Sequence, residues 1–159
     1  MIYQSVGRLK IAYLTLIIVL APIFIYQQVK PLLRQTQVTE QQATWQVAKT
    51  AAQFQALLGS APNKKIIIDV YADWCVACQP IEKHILADAQ IQHALTDYYL
   101  IKLDLSDYDA SHAELLKQWQ ILGPPTFLFL NEDQQEQRHL RLTGSFSVQD
   151  LQQRLMGLE

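Results

Sequence analysis

Blocks of apolar and polar residues along the chain predict an α/β body. The run KIIIDVY is β-branched and almost wholly apolar, which predicts a central strand covered on both faces. Weaker alternation before it, and further apolar runs after it, predict the remaining strands. The predicted strands are Thr44–Lys49, Lys65–Tyr71, Tyr98–Leu105 and a closing pair, Thr126–Leu130 and Gln137–Thr143.

Helix-start residues stand between these strands. Ser, Thr and Asp are favoured N-caps because their side-chain oxygens accept hydrogen bonds from the free backbone N–H groups of the first turn. The predicted helices are Ala51–Leu58 after Thr50, Cys75 to about Ala87, a shorter helix from Asp88 to Leu95, one opened by the capping-box spacing of Ser111 and Glu114 and running to Gln120, and one from Ser147 to Met156. Alternating strands and helices, followed by a hairpin and a last helix, predict a mixed central sheet with helices on both faces.

The N-terminal part of the chain has a different character. Ile11–Tyr26 contains sixteen residues without a charge, about 24 Å as a helix, and residues 27–29 extend it toward the thickness of a bilayer core. A cleaved signal peptide is the alternative, but no small-x-small cleavage site follows the run. We expect four parts: a flank (1–10), a transmembrane anchor (11–29), a tether (30–43) and a folded body (44–159).

The charges are unevenly distributed. Residues 1–34 hold four bases and no acid, whereas residues 35–159 hold nine bases and fifteen acids, a net charge of −6. Nucleic-acid binding depends on clustered Lys and Arg that neutralise phosphates. The acidic body therefore predicts no nucleic-acid partner.

The two cysteines of the chain are the strongest chemical signal. Cys75 and Cys78 directly follow the predicted central strand and open the next helix. Free N–H groups and the positive dipole end of a helix stabilise a thiolate on Cys75. Cys78 lies one turn further on, within reach to attack a mixed disulfide at Cys75. The pair predicts a redox-active disulfide.

Two other interpretations of the cysteines stay open. Cys-x-x-Cys can be half of a zinc site, with His84 and His93 as nominal further ligands, although their spacing matches no zinc-finger pattern. The pair could also be two buried, inert thiols, although a strand-to-helix junction favours chemistry over packing. The redox interpretation requires no metal or other cofactor.

The strings YADWCVAC and LGPPTFLFL resemble the thioredoxin superfamily, and more nearly the C-terminal periplasmic thioredoxin-like domain of the DsbD family of thiol:disulfide interchange proteins. The resemblance covers roughly 44–155. It implies a thioredoxin fold, a thiol–disulfide oxidoreductase, a cytoplasmic N-terminal flank and a body in the periplasm. The DsbD family carries this domain behind a multi-span membrane unit, whereas a single anchor is predicted here, so we expect a separate membrane electron donor of DsbD-like type.

The resemblance also assigns surrounding residues. Pro125 matches the cis-proline that faces the cysteines, preceded here by Pro124 where the family usually has an N–H. Asp69 matches a buried acid that exchanges protons with the buried cysteine, and Glu82 matches a second acid, although by sequence alone Glu82 is a solvated helix residue. Lys102 matches a lysine near the buried acid; alternatively it is a snorkelling edge residue. Independently of the resemblance, we expect Trp74, next to Cys75, to cover the disulfide and form partner surface; a simple core position is the alternative.

The sequence thus predicts a single-pass inner-membrane protein whose catalytic domain faces the periplasm and acts as a dithiol reductase. A periplasmic disulfide oxidase or isomerase is the nearest alternative, because no residue fixes the reduction potential. A non-catalytic anchored binding module of the same fold is another. Expected partners are protein thiols and disulfides of the cell envelope, including apoproteins of cytochrome c biogenesis, with lipid contacting residues 11–29.

Overall fold

A computed structural model describes residues 43–158 of the 159-residue chain. The predicted flank (1–10), anchor (11–29) and all but the last residue of the tether (30–43) lie outside the described residues. Within residues 43–158, no helix is long and apolar enough to cross a membrane.

Five strands form one mixed sheet, in the order β1-β3-β2-β4-β5. β1, β2 and β3 are parallel, whereas β4 is antiparallel to β2 and β5 is antiparallel to β4. The run KIIIDVY supplies the central strand, as predicted from its continuous apolar character. The strands are β1 (Trp45–Ala48), β2 (Ile66–Tyr71), β3 (Tyr99–Asp104), β4 (Thr126–Leu130) and β5 (Leu142–Thr143).

Helical segments connect the strands. They are α1 (Ala51–Gly59), α2 (Cys78–Pro80) continuing into a π-helical segment (Ile81–Ile85), α3 (Ala89–Leu95), α4 (Ala110–Gln118), a 3₁₀ turn (Arg138–Leu140) and α5 (Val148–Leu158). The predicted caps of α1 and α3 are confirmed: Thr50 Oγ1 accepts from the N–H of Gln53, and Asp88 accepts from Gln90 and Ile91. Ser147 Oγ likewise accepts from the N–H of Asp150 at the start of α5.

Two apolar clusters cover the two faces of the sheet. One contains Ile68 and Val70 of β2, packed with α1 and α4, together with both cysteines. The other contains Ile67 of β2, packed with the π-helical segment, α3 and α5. Because successive side chains of a strand point to opposite faces, β2 contributes to both clusters, and helices cover the central strand on both sides.

The predicted helix from Cys75 to Ala87 is shorter in the structure and differs in type. Cys75 and Cys78 lie in successive turns, with Cys75 N–H donating to Ala72 O and Cys78 N–H donating to Cys75 O. Pro80 has no N–H with which to extend the helix back toward the first cysteine. The helix therefore begins at Cys78, and the N–H of Leu86 bonds to Ile81 five residues earlier.

Two further predictions needed correction. Helix α4 is capped by Asp109 and not by Ser111, because the carboxylate accepts from two N–H groups while His112 completes the capping box. The predicted strand 137–143 is reduced to Leu142–Thr143. Its first half turns instead, since the N–H of Leu140 donates to Gln137 O within the segment rather than across the sheet.

Candidate active site

A disulfide joins Cys75 and Cys78, just beyond the carboxyl end of β2. The two Cα atoms are 5.3 Å apart, and Cys75 and Cys78 are 6% and 2% exposed respectively. Cys75 is therefore the more exposed of the two residues. Both residues pack against the apolar cluster that contains Ile68 and Val70, which holds the pair against the sheet.

A backbone hydrogen bond distinguishes the two sulfurs. The N–H of Cys78 donates to Sγ of Cys75 at 3.2 Å. A donor in this position stabilises negative charge on the sulfur that receives it. The contact supports Cys75 as the attacking sulfur and Cys78 as the second thiol, and both roles stay predictions.

The surface around the disulfide is apolar. Trp74 and Val76, which flank Cys75, are both exposed, as is Leu122 in the segment that leads to β4. Thr126 pairs with Val70 at the end of β2, so the loop before β4 lies at the same edge of the sheet as the cysteines. Exposed apolar side chains beside a reactive group are typical of protein-docking surfaces.

The proline pair lies in this loop. The peptide bond between Pro124 and Pro125 is cis, as the resemblance implies. Pro125 O accepts a hydrogen bond from the N–H of Gly144 at 3.0 Å, which fixes the loop to the segment after β5. Pro124 offers no N–H. An extended partner chain that docks at this loop therefore forms one backbone hydrogen bond fewer than it would with a non-proline residue at position 124.

Asp69 is an acid in the middle of the central strand. Its side chain is 3% exposed, and its sheet neighbours are Lys102 on β3 and Phe127 on β4. Burial raises the pKa of Asp69 to about 7; the charge of Lys102 opposes this shift and the charge of Glu82 adds to it. Asp69 therefore gains and loses its proton near neutral pH.

Lys102 bridges two carboxylates. Its Nζ lies 2.5 Å from Oε1 of Glu82 and 3.4 Å from Oδ2 of Asp69. The second contact is an ion pair without a hydrogen bond: Oδ2 of Asp69 is buried and has no hydrogen-bond partner within residues 43–158. The structure thus brings Asp69, Lys102 and Glu82 together on one face of the sheet, and their roles in exchange stay predictions.

Sequence reasoning missed the aromatic residues around Lys102. The Nζ atom lies 4.7 Å from the ring centroid of Tyr71 and 5.8 Å from that of Trp45. Strand alternation could have identified Tyr71, because it follows Asp69 by two positions on β2 and so shares its face. Trp45 depends on the placement of β1 beside β3, which no local pattern reveals.

The histidines contribute no metal site in the described part of the chain. No group of three or more His, Cys, Asp or Glu residues there is arranged to hold an ion. His84 is exposed on the π-helical segment, and His93 lies on α3. His112 is buried, where its Nδ1 accepts from the N–H of Asp109.

Comparison with known proteins identifies the class. Residues 59–157 match the family model of the thioredoxin-like domain, and the chain belongs to that family. Its Cys75–Cys78 disulfide is the redox centre of a thiol:disulfide oxidoreductase.

The chain is also similar to particular proteins and solved structures. The chain is 41% identical over 106 residues to the thiol:disulfide interchange protein DsbD of Yersinia enterocolitica, a match covering 67% of this chain and 18% of the relative. The chain thus spans less than a fifth of the length of such relatives. Among solved structures, the reduced C-terminal domain of DsbD from Neisseria meningitidis superposes with a TM-score of 0.61 at 24% identity, over 72% of this chain and 100% of that chain. A Thermus thermophilus thioredoxin gives 0.58 at 20% identity, over 74% and 87% of the two chains.

Proposed function

We propose that this chain is a membrane-anchored thiol–disulfide oxidoreductase that acts as a dithiol reductase on the periplasmic side of the inner membrane. The observation that carries the proposal is the Cys75–Cys78 pair, with the N–H of Cys78 directed at Sγ of Cys75 in a thioredoxin-like domain. The similarity to proteins named thiol:disulfide interchange protein supports it.

The exchange has two steps. In the dithiol form, the Cys75 thiolate attacks one sulfur of a partner disulfide, forms a mixed disulfide and releases the other partner sulfur as a thiolate. Cys78 then loses its proton and attacks Sγ of Cys75, which releases the second partner sulfur and closes the Cys75–Cys78 disulfide. Two electrons pass from the chain to the partner; Cys75 gives up its proton when its thiolate forms and Cys78 gives up its proton in the second step, and the two partner thiolates take up protons from solvent. A separate membrane donor returns them by the reverse exchange.

The second step needs a proton acceptor, because Cys78 is buried and a buried thiol retains its proton. We assign this role to Asp69. A carboxylate with a pKa of about 7 accepts a proton from a thiol more readily than a carboxylate of ordinary pKa does, and it releases the proton again near neutral pH.

The partners proposed for this site are proteins. Trp74 and Val76 offer exposed apolar side chains on either side of Cys75, and Leu122 offers another in the segment before β4. Extended segments of cell-envelope proteins that carry a disulfide fit this surface, and apoproteins of cytochrome c biogenesis are one such class. The membrane donor of DsbD-like type docks at the same sulfur, so donor and substrate use the site in turn.

Disulfide trapping tests the activity and identifies the partner. A full-length Cys78→Ala variant in cells is expected to accumulate mixed disulfides through Cys75 that run as higher bands and collapse with reductant. The Cys75→Ala variant is the matched control and is expected to trap far less. Equal trapping by the two variants would reverse the assigned roles, and absence of any adduct would favour a non-catalytic binding module.

The direction of electron flow requires a separate measurement. Equilibration of the purified chain with glutathione mixtures, followed by alkylation and mass analysis, gives its reduction potential. A value more reducing than the glutathione couple supports a reductase. A value as oxidising as that of a strong disulfide donor would contradict the reductase assignment and support the oxidase or isomerase alternative.

Anchoring and orientation are tested on the intact chain. The apolar run 11–26 without a cleavage site supports an uncleaved anchor. The full-length protein is expected in the membrane fraction after carbonate extraction, and alkaline phosphatase fused after Glu159 is expected to be active. A soluble mature form would overturn the anchor, and an inactive fusion would overturn the orientation.

A further inference from the structure

The Lys102 ammonium is held by an aromatic ring as well as by two carboxylates. Its Nζ lies 4.7 Å from the ring centroid of Tyr71, within the range of a cation–π contact. We propose that Tyr71 is a positioning residue for thiol–disulfide exchange, whose ring face keeps Lys102 between Asp69 and Glu82. The inference rests on the proposed function and adds to it the residue that sets the electrostatics of the proton acceptor.

Strand geometry explains why Tyr71 occupies this position. Asp69 and Tyr71 are two residues apart on β2 and therefore share a face of the sheet. Lys102 is in register with Asp69 on the neighbouring strand, so its side chain emerges on that same face. The Tyr71 ring thus lies beside the Lys102 ammonium on the face that carries Asp69.

A second contact fixes the Tyr71 ring from its other end. The hydroxyl of Tyr71 donates to Oδ1 of Asp73 at 2.8 Å, and Asp73 N–H in turn donates to Oγ of Ser106. The hydrogen bond with Asp73 raises the pKa of Tyr71, so the phenol stays a protonated donor. Tyr71 is therefore tied both to the ammonium and to the turn that carries Trp74 and Cys75.

Loss of the ring changes the balance between the two carboxylates. Glu82 is 30% exposed and Asp69 only 3% exposed, and Lys102 already lies closer to Glu82. An ammonium group is more stable where water reaches it, so a Lys102 freed from the ring moves toward solvent and away from Asp69 while Glu82 stays on the π-helical segment. The charge of Lys102 lowers the pKa of Asp69 and that of Glu82 raises it, so departure of Lys102 alone raises that pKa above 7.

The charged and titratable groups around this cluster come from few elements. β1 supplies the Trp45 ring, which does not titrate, and β4 places Phe127 opposite Asp69. The remaining groups that face Lys102 or its partners are Asp69 and Tyr71 from β2, Asp73 from the following turn, Lys102 and Asp104 from β3 and Glu82 from the π-helical segment; Asp104 is in register with Tyr71. Among these groups Lys102 contacts both Tyr71 and Asp69, so a change at Tyr71 acts on the titration of Asp69 through Lys102.

The chain contains a matched control for Tyr71. Tyr99 on β3 also lies under a lysine, with Nζ of Lys64 5.9 Å from its ring centroid, and its hydroxyl is hydrogen-bonded to Ser60. It therefore has the same two kinds of contact. Tyr99 lies at the start of β3. Lys102 lies nearer the carboxyl end of that strand, and the cysteines follow the carboxyl end of β2, which is parallel to β3.

The test is the titration of Asp69 in the full-length oxidised chain in detergent. Carboxyl ¹³C signals of labelled aspartate are followed from pH 4 to 9, with Asp69→Asn identifying the Asp69 signal. Tyr71→Leu is expected to raise the midpoint by about half a unit or more, which is at least about a threefold increase in proton affinity. Tyr71→Phe keeps the ring face but loses the hydrogen bond to Asp73, and it is expected to shift the midpoint less than Tyr71→Leu does. Tyr99→Leu is expected to retain the wild-type midpoint.

The outcomes separate this inference from the proposed function. An unchanged or lowered midpoint in Tyr71→Leu overturns the inference, and so does an equal rise in Tyr99→Leu, which would indicate general loosening of the sheet. If Tyr71→Leu does not fold, Tyr71→Ile replaces it, because a β-branched side chain suits a strand. The titration uses the oxidised protein, which exchanges no disulfides. A wild-type chain that reduces no partner would therefore overturn the proposed function, and the titration would still decide the inference about Tyr71.

Discussion

The ammonium nitrogen of Lys102 lies 3.4 Å from Oδ2 of Asp69, on the face of the sheet that also carries Ile67 and its apolar cluster. This distance gives charge attraction without a close hydrogen bond, so the buried carboxylate is only partly compensated. Burial therefore dominates, and the pKa of Asp69 is about 7. A fully compensated acid would stay ionised through the neutral range and could not take up the proton of a thiol.

The Asp69→Asn variant is expected to be more stable than the wild type above pH 7. An acid whose pKa is raised on folding binds more protons in the folded than in the unfolded state between pH 3.8 and about 7. Wild-type stability therefore falls as pH rises through that window and is flat above it. Asparagine removes the effect, a gain on the order of 2–4 kcal/mol at pH 8.

Urea unfolding of the wild type and the variant at pH 4, 6 and 8 measures this difference. The two free energies of unfolding are expected to converge at pH 4 and to diverge as pH rises. A constant difference across the series would mean that Asp69 is ionised in the folded protein at all three pH values.

The same variant is expected to exchange disulfides more slowly near neutral pH. Asparagine keeps the shape of the side chain but cannot accept the proton of Cys78, so release of the partner is expected to slow by about tenfold or more at pH 7. The difference should shrink toward pH 9, where hydroxide removes the thiol proton directly. Stopped-flow reduction of a model disulfide from pH 6 to 9 measures both rates, and superimposable profiles would leave Glu82 or water as the acceptor.

Cys75 is expected to be the thiol that alkylates first in the reduced protein. The N–H of Cys78 is directed at its sulfur, and Cys75 is the more exposed of the two residues. Thiolate character and access both increase the rate of alkylation. Brief iodoacetamide treatment at pH 7 followed by peptide mass mapping locates the label. The single variants Cys75→Ala and Cys78→Ala give the separate rates, and faster labelling of Cys78 would contradict the assignment.

Features that depend on neighbouring residues in the chain were predictable from sequence. Thr50 and Asp88 were identified as caps because a cap is a contact between a side chain and the backbone two or three residues away. The central strand was identified from its uninterrupted β-branched run. The same local reasoning failed at Ser111, since Asp109, two residues earlier, accepts from the N–H groups of Ser111 and His112 and so begins the helix before Ser111.

Features that depend on strand register were not predictable in the same way. Asp69 and Lys102 are thirty-three positions apart, and their pairing in the sequence analysis came from a family resemblance. Only the alignment of β2 with β3 places the two side chains together. The aromatic faces of Tyr71 and Trp45 around Lys102 follow from the same alignment. The π-helical segment escaped prediction because its hydrogen bonds leave no periodicity that differs visibly from that of an α-helix over five residues.

Arg141 is expected to stabilise the packing of the segment before β5 against the residues that end α4. Its guanidinium donates to both carboxylate oxygens of Glu136 and to the carbonyls of Trp119 and Gln120. Arg141→Met leaves a largely buried carboxylate without its partner, and we expect a loss of about 2–3 kcal/mol in the free energy of unfolding.

Arg138 supplies the control for Arg141. It contacts the same Glu136 at 3.6 Å from an exposed position, so Arg138→Met is expected to cost less than about 1 kcal/mol. Chemical unfolding of the two variants gives the comparison. Equal losses would show that the net charge of this region, and not the buried geometry of Arg141, determines its stability.

Glu82 and Lys102 are expected to shift the pKa of Asp69 in opposite directions. Glu82→Gln removes a negative charge that raises the pKa of Asp69, and it also frees Lys102 to approach that acid, so both effects lower the midpoint below 7. Lys102→Met removes the charge that lowers the pKa and therefore raises the midpoint. Each shift is expected to reach about one unit, because an opposite or like charge within 4–6 Å commonly has an effect of that size.

The ¹³C titration of Asp69 in the full chain measures both shifts, and Glu114→Gln, at an exposed position on α4, controls for the change in net charge. The rate of partner release should follow the same order. Glu82→Gln moves its rise to lower pH and Lys102→Met moves it to higher pH, because the rise reports ionisation of the proton acceptor. If the titration shifts in both variants while the rate profile stays in place, Asp69 responds to the cluster but does not take the proton of Cys78.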